Sequence, residues 1–124
     1  MEHQILNGDN LVLLKTLESN SIDLVYLDPP FLTQRVHKLK NKSNTEFSFN
    51  DLWKSHSDYG EFLYHRLIEL KRVLKDSGSI FFHCDKSAVH IVRLLLDEVF
   101  GEKNFQSEII WSYKRWSNSK KGVL

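Results

Sequence analysis

The sequence predicts an α/β fold, a mostly parallel sheet with flanking helices. Two observations carry this expectation. Apolar runs of strand length, Ile22 to Asp28 and Ser79 to Cys84, alternate with longer segments whose apolar residues recur at helical spacing. The runs are also nearly continuous, as in strands buried on both faces of a parallel sheet.

In chain order, His3 to Leu6 has the composition of a short strand, followed by a turn at Gly8 and Asp9. Asp9 or Asn10 caps a helix that carries Leu11, Leu14 and Leu17 on one face. Ile22 to Asp28 is the first buried strand. From Thr33 to about Ser57 the chain is polar and shows little periodicity. It reads as a mobile connection, longer than loops usually are in compact domains. Asp58 and Glu61 have capping-box spacing before a second helix, with an acid in place of Ser or Thr at the cap. That helix turns Phe62, Leu63, Leu67, Leu70 and Leu74 inward and ends near Gly78. Ser79 to Cys84 is the second buried strand. Ser87 starts a third helix, with Val92, Leu95, Leu96 and Val99 on one stripe and Gly101 as its stop. Ser107 to Tyr113 is the last strand. In parallel α/β sheets ligands bind beyond the carboxyl ends of the strands. Asp28 and Asp85 both fall at such ends, which places two acids on one rim.

A chain of 124 residues forms at most one compact domain. Its 41% hydrophobic content is ordinary, and no apolar run reaches membrane-spanning length. The polar start, MEHQILNGD, lacks the apolar core of a signal peptide, so a cytoplasmic location is expected. Cys84 is the only cysteine, which excludes an internal disulfide and any multi-cysteine zinc site; no spacing among the six histidines suggests a metal. A net charge of +1 rules out a global basic field. The positive charge is local, at Lys38, Lys40 and Lys42 and again at Lys114, Arg115, Lys120 and Lys121.

The first strand ends on Asp28-Pro29-Pro30-Phe31. Each proline fixes its own φ, lacks an N–H and drives the preceding residue into an extended conformation. The backbone is therefore stiff, and no amide on Pro30 competes for the Pro29 carbonyl. The Asp28 carboxylate and the Pro29 carbonyl make a fixed pair of acceptors with the Phe31 ring beside them. Such a set suits a planar heterocycle bearing an exocyclic amine. Accepting hydrogen bonds from both amine hydrogens favours a tetrahedral nitrogen and localises its lone pair. Stacking of such a ring on Phe31 is worth about 1–3 kcal/mol in nucleic-acid complexes.

Asp28-Pro29-Pro30-Phe31 resembles the [D/N/S]-P-P-[Y/F/W] motif of S-adenosylmethionine-dependent amino-methyltransferases. The wider context narrows the resemblance. "NGDNLVLLKTLESNSIDLVYLDPPF", "GSIFFHCDKSA" and "VFGEKNFQSEIIWSYKR" follow one another as in the circularly permuted β group of DNA methyltransferases. That group includes the modification subunits of bacterial type III restriction–modification systems. The resemblance implies a partial Rossmann-like methyltransferase domain with S-adenosylmethionine as cofactor and double-stranded DNA as substrate. It implies adenine-N6 methylation of a flipped base, with Asp28, Pro29, Pro30 and Phe31 as the catalytic motif. Cytosine-N4 members more often start this motif with Ser. Asp9 matches an acid near the cofactor's adenosine, although a helix cap would look the same, and Asp28 would also adjoin the cofactor. Lys38, Lys40, Lys42 and Trp53 fall where relatives close over the base and touch DNA; a solvated charged loop reads equally well. Arg115 and Trp116 could steer or stack on DNA, whereas Trp111 reads as core. His83 and Asp85 lie on the active rim, Asp85 as pocket support or as a helix cap.

The resemblance also implies parts that these residues lack. Glycine occurs only at positions 8, 60, 78, 101 and 122, so there is no F-x-G-x-G loop, and no target-recognition region is present. The chain is expected to be the N-terminal catalytic part, inactive alone, and to self-associate or to bind a complementary methyltransferase fragment. A restriction subunit is a further expected partner. The alternatives are a non-catalytic remnant or interaction subunit, and a cytosine-N4 enzyme. RNA and protein-glutamine methyltransferases share the short motif, but their cofactor glycines normally precede it.

Overall fold

A computed structural model describes residues 3–34, 36–41, 43–50 and 52–114. The elements are α1 (Asn10–Leu14), β1 (Ile22–Leu27), β2 (Val36–Lys40), β3 (Glu46–Asn50), α2 (His56–Val73), β4 (Leu74–Phe82) and α3 (Val89–Phe100), then a 3-10 turn at Glu102–Asn104. β1 and β4 pair in parallel, and β2 and β3 form a separate antiparallel hairpin. The α/β class and the parallel pairing are as expected.

The β1–β4 register runs from Leu24 opposite Ser79 to Leu27 opposite Phe82. The His83 amide extends it by donating to the Leu27 carbonyl at 2.8 Å. Both strands therefore end level. Earlier, Ile22 faces Leu74, so β4 carries extra residues before Gly78 restores the pairing. Gly78 is needed there because of close approach. A Cβ on it would lie 2.7 Å from Leu74 Cδ1 and 3.0 Å from the Asp23 carbonyl oxygen.

All three α-helices pack on one face of this pair. Leu14, Leu67, Leu70, Val73 and Val99 form one buried cluster against Val25, Leu27, Ile80 and Phe82. Leu32, Tyr59, Leu63, Ala88 and Val92 form a second, beneath Trp53 and Phe62. The apolar stripes expected on α2 and α3 are the ones that build these clusters. The opposite face, with Leu24, Tyr26 and Phe81, is open to solvent, and no described residue covers it. The expectation of burial on both faces is corrected accordingly: residues alternate sides along a strand, and only one side meets helices.

The helix ends show why the boundaries fall where they do. Asp9 caps α1 by accepting from the Leu11 amide at 2.8 Å. Arg72 closes its other end, donating to the Leu14 carbonyl at 2.8 Å and to the Leu17 carbonyl at 3.0 Å. A five-residue helix is held at both termini in this way. α2 is capped by Ser55, not Asp58, because the Ser55 hydroxyl accepts from the Asp58 amide at 3.0 Å. It ends at Val73 rather than near Gly78. The Arg72 and Val73 carbonyls accept from the Asn20 and Ser21 amides at 3.0 and 2.9 Å, so the approach to β1 caps α2. α3 starts at Val89 rather than Ser87, and Gly101, at φ 91°, stops it as expected.

Three other expectations are corrected. His3 to Leu6 is not a strand, and Ile5 is fully solvated. The span from Thr33 to Ser57 contains the β2–β3 hairpin, whose turn is tied by the Asn41 side chain accepting from the Ser43 and Thr45 amides at 3.0 and 2.9 Å. Ser107 to Tyr113 forms no strand, and no described strand pairs with it. Ile109 and Trp111 are about as exposed as an isolated chain would leave them, so Trp111 is not core. Among the described residues, no helix is long and apolar enough to cross a membrane.

Substituting Gly78→Ala should lower stability by about 1–3 kcal/mol through this overpacking. Urea denaturation checks it; an unchanged midpoint would mean that Leu74 and the Asp23 carbonyl yield freely.

Candidate functional site

Asp28 leaves β1 at its carboxyl end, exposed, and the prolines carry the chain outward from there. Its carboxylate has no hydrogen-bond or ion-pair partner among the described residues, and neither has the Pro29 carbonyl. Both border an open cleft of about 350 Å³ between the start of α1, the end of β1 and one flank of α2. Asp9 and Asp28 line it together, with Leu27, Pro29, Phe62 and Leu63 as apolar wall. The volume is within the range of small-molecule sites, about 300–1,000 Å³, at its lower end.

The two acids have opposite surroundings. Asp9 is held by Arg66, whose Nη2 lies 3.0 Å from both carboxylate oxygens. The same guanidinium donates to the Asn10 side chain at 2.8 Å and to the Phe62 carbonyl at 2.9 Å. Its Cζ stands 3.5 Å above the Phe62 ring. Arg66 is only 11% exposed whereas Asp9 is 54% exposed, so the cation is the anchored partner and the carboxylate still meets solvent. Asp9 thus caps α1, as one reading of the sequence expects, and also faces the cleft.

Beyond Pro30, Phe31 is half-buried and stacks on His83, with centroids 5.5 Å apart and planes 28° apart. Its carbonyl accepts from the Trp53 indole Nε1–H at 3.1 Å. Trp53 is half-buried, edge-on to Tyr59 and tilted against Phe62, each at 4.9 Å. Gln34 joins the two ends of the hairpin excursion: its amide accepts from the Trp53 N–H and donates to the Trp53 carbonyl, both at 3.0 Å. Gln34 adopts a left-handed φ of 55° to do so, a conformation uncommon outside glycine and asparagine. On the β4 side, the Ser87 hydroxyl lies 2.8 Å from both Asp85 oxygens and 3.2 Å from the Leu32 carbonyl. Asp85 is the nearer acceptor for the single Ser87 hydroxyl hydrogen, and it does not cap α3, which has no side-chain cap. Cys84 is a poor nucleophile: burial, then the charges of Asp85 and Glu108, push its thiol above the ordinary value.

The structure brings Asp9, Asp28, Pro29 and Pro30 to one cleft and sets Phe31, Trp53, His83 and Asp85 beside it. Lys38 and Lys40 are not among the residues that line the cleft. Lys38 is on the hairpin, exposed and 3.2 Å from Glu46; Lys40 ends β2 opposite Glu46. Lys42, Arg115 and Trp116 lie outside the described residues. Sequence reasoning missed Arg66, Asn10 and Gln34. A lone arginine in the middle of a long helix carries no spacing signal, and Gln34 declares itself only through a partner far along the chain.

Comparison with known proteins shows the family of the chain that carries this cleft. A family model for DNA methylases, the N6/N4 amino-methyltransferases, matches residues 22–123. The chain belongs to that family. The chain is 30% identical to the StyLTI Mod subunit of a type III restriction–modification enzyme from Salmonella typhimurium, across 89% of this chain and 20% of that protein. It is 34% identical to the type II methyltransferase M.KpnI of Klebsiella pneumoniae, across 83% of this chain and 25% of that one. With M.HinfI of Haemophilus influenzae the identity is 42%, across 62% of this chain and 23% of that protein. The chain thus spans a fifth to a quarter of the length of these relatives. Family membership implies S-adenosylmethionine as the methyl donor. The lining of the cleft, two carboxylates from Asp9 and Asp28 beside an apolar wall, is chemically compatible with such a molecule.

Replacing Arg66 by Met should cost about 2 kcal/mol, since charge-assisted hydrogen bonds are lost around a mostly buried side chain. Lys should not restore it, because an ammonium cannot hold both Asp9 oxygens and Asn10 in one plane. Thermal or urea melts check both; a Lys variant as stable as the original would refute the planar requirement.

Proposed function

We propose that these residues form the catalytic-motif part of a site-specific DNA adenine-N6 methyltransferase. The single observation that carries the reading is the unengaged acceptor pair, Asp28 carboxylate and Pro29 carbonyl, at a rigid strand end on a cleft that also holds Asp9. In this reading a target adenine leaves the duplex at a cost of a few kcal/mol. Asp28 and Pro29 each accept one N–H of its exocyclic amine and keep the N6 lone pair pointed into the cleft. Phe31 stacks on the base. S-adenosylmethionine, when bound, supplies the methyl group as an electrophilic carbon. Asp9 and Asp28 are the residues of this chain that would hold it. The N6 proton becomes acidic once the methyl is transferred, so Asp28 orients the amine and needs no unusual basicity. The contribution of the protein is positioning and exclusion of water. Asp28, where cytosine-N4 relatives more often have Ser, supports adenine over cytosine.

The hairpin and the chain end supply DNA contacts in this reading. Lys38, Lys40 and Lys42 meet phosphate as the Thr33 to Ser57 segment closes over the flipped base, and Arg115 and Trp116 meet the duplex. Trp53 acts through Phe31, to which its indole is already bonded. The reaction takes place in the cytoplasm on double-stranded DNA, and the Mod-subunit relatives support a restriction subunit as partner. The solvated face of Leu24, Tyr26 and Phe81, with Ile109 and Trp111, supports docking of a complementary methyltransferase fragment or a second copy.

A polypeptide of these 124 residues, which contains no G-x-G loop, should transfer no methyl group alone. Mixed with the C-terminal remainder of a Mod-type relative, it should sediment as a complex and produce N6-methyladenine in duplex DNA. In that complex Asp28→Ala should abolish turnover and leave DNA affinity nearly unchanged, since phosphate contacts dominate affinity. N4-methylcytosine as the product, or an active Asp28→Ala variant, would overturn the reading. Without DNA, hairpin amides in β2 and β3 should exchange hydrogen much faster than those of β4. Equal protection would contradict a closing segment.

A further inference from the structure

Phe31 is held both at its carbonyl and at its ring. Its carbonyl is fixed by the Trp53 indole at 3.1 Å. Its ring stacks on His83 at 5.5 Å and 28°. The backbone of His83 is itself fixed, because its amide donates to the Leu27 carbonyl at 2.8 Å, one residue before Asp28. His83 therefore belongs to the same strand end that presents the acceptor pair, and its ring reaches across to the residue that follows the prolines. With the Phe31 carbonyl pinned, the remaining freedom of that side chain is rotation about its own torsions. A flat ring packed against it removes most of that freedom. The imidazole nitrogens make no hydrogen bond or ion pair among the described residues.

We infer that His83 is a positioning residue whose ring, acting as an aromatic platform, sets the orientation of Phe31 for stacking on the target base. The inference rests on the reading of Phe31 as the base-stacking residue, and it gives the imidazole no role as proton acceptor. An aromatic pair of this kind changes an equilibrium by roughly twofold to tenfold. The platform role needs a flat ring and no ring nitrogen. His83→Phe should therefore retain it, while His83→Ala and His83→Gln should lose it. A proton-transfer role would give the reverse ranking, with Phe as poor as Ala.

The test uses the full 124-residue chain with labelled phenylalanine rings, read by nuclear magnetic resonance, and adenosine monophosphate as the probe. In the unsubstituted chain, cross-relaxation between the Phe31 and His83 rings is expected, together with a saturable shift of the Phe31 ring on adding the nucleotide. His83→Ala and His83→Gln should shift the Phe31 ring signals and weaken the nucleotide response about twofold to tenfold. His83→Phe should restore both. If Ala unfolds the chain, Gln, which keeps polarity and bulk, carries the same comparison. Phe31 signals that ignore every His83 substitution overturn the inference, whatever the nucleotide does. Loss of the response in His83→Phe also overturns it, in favour of a role for the nitrogens. A Phe31 ring that senses His83 but never the nucleotide overturns the base-stacking reading, and with it the purpose assigned to the platform.

Discussion

The site depends on the parallel pairing of β1 with β4 in a register that ends both strands level. Because they are level, the chain leaving β1 as Asp28-Pro29-Pro30-Phe31 and the chain leaving β4 as His83-Cys84-Asp85 emerge side by side. Side chains alternate along a strand, so a slip of one residue would turn either Val25 and Leu27 or Ile80 and Phe82 away from the helices. With Ile22, these are strand residues packed against the main buried cluster. The apolar contacts of α2 and α3 therefore fix the register, and the register fixes which polar groups meet at the rim. The energy that aligns the chemistry is held in the core, away from the chemistry itself.

Much of this arrangement was legible in the sequence. Continuous apolar runs gave β1 and β4, helical stripes gave the buried sides of α2 and α3, and the acid and prolines gave the rigid rim. Pairing signals that depend on distant partners were not legible. The hairpin was hidden because its polar residues outweigh the alternation in Glu46-Phe47-Ser48-Phe49-Asn50, which has a strand's period of two. Ser107 to Tyr113 misled in the opposite way. Its strand-forming residues satisfy local preference, but a strand also needs an edge to pair with, and no described residue provides one. The burial of Trp53 and the solvation of Trp111 follow the same logic. One indole finds Tyr59, Phe62 and a carbonyl; among the described residues the other meets the Tyr113 ring.

The contrast between Asp9 and Asp28 is what the rest of the scaffold produces. A carboxylate that meets a fixed arginine and a helix amide has its acceptor sites largely occupied, so it can organise a cleft but has little left with which to grip a substrate amine. Asp9 is in that position, and Arg66 in turn is oriented by Asn10, the Phe62 carbonyl and the Phe62 ring. Asp28 has none of these partners, and the prolines after it remove amides that could have folded back to satisfy it. An acid left unsatisfied by its own chain remains solvated until something brings donors to it. An exocyclic amine brings two, and beside Asp28 the Pro29 carbonyl waits for the second. The same rigidity that keeps this pair from relaxing onto the protein also keeps it in place for the base, so the lost intramolecular hydrogen bonds and the proposed catalysis have one structural cause.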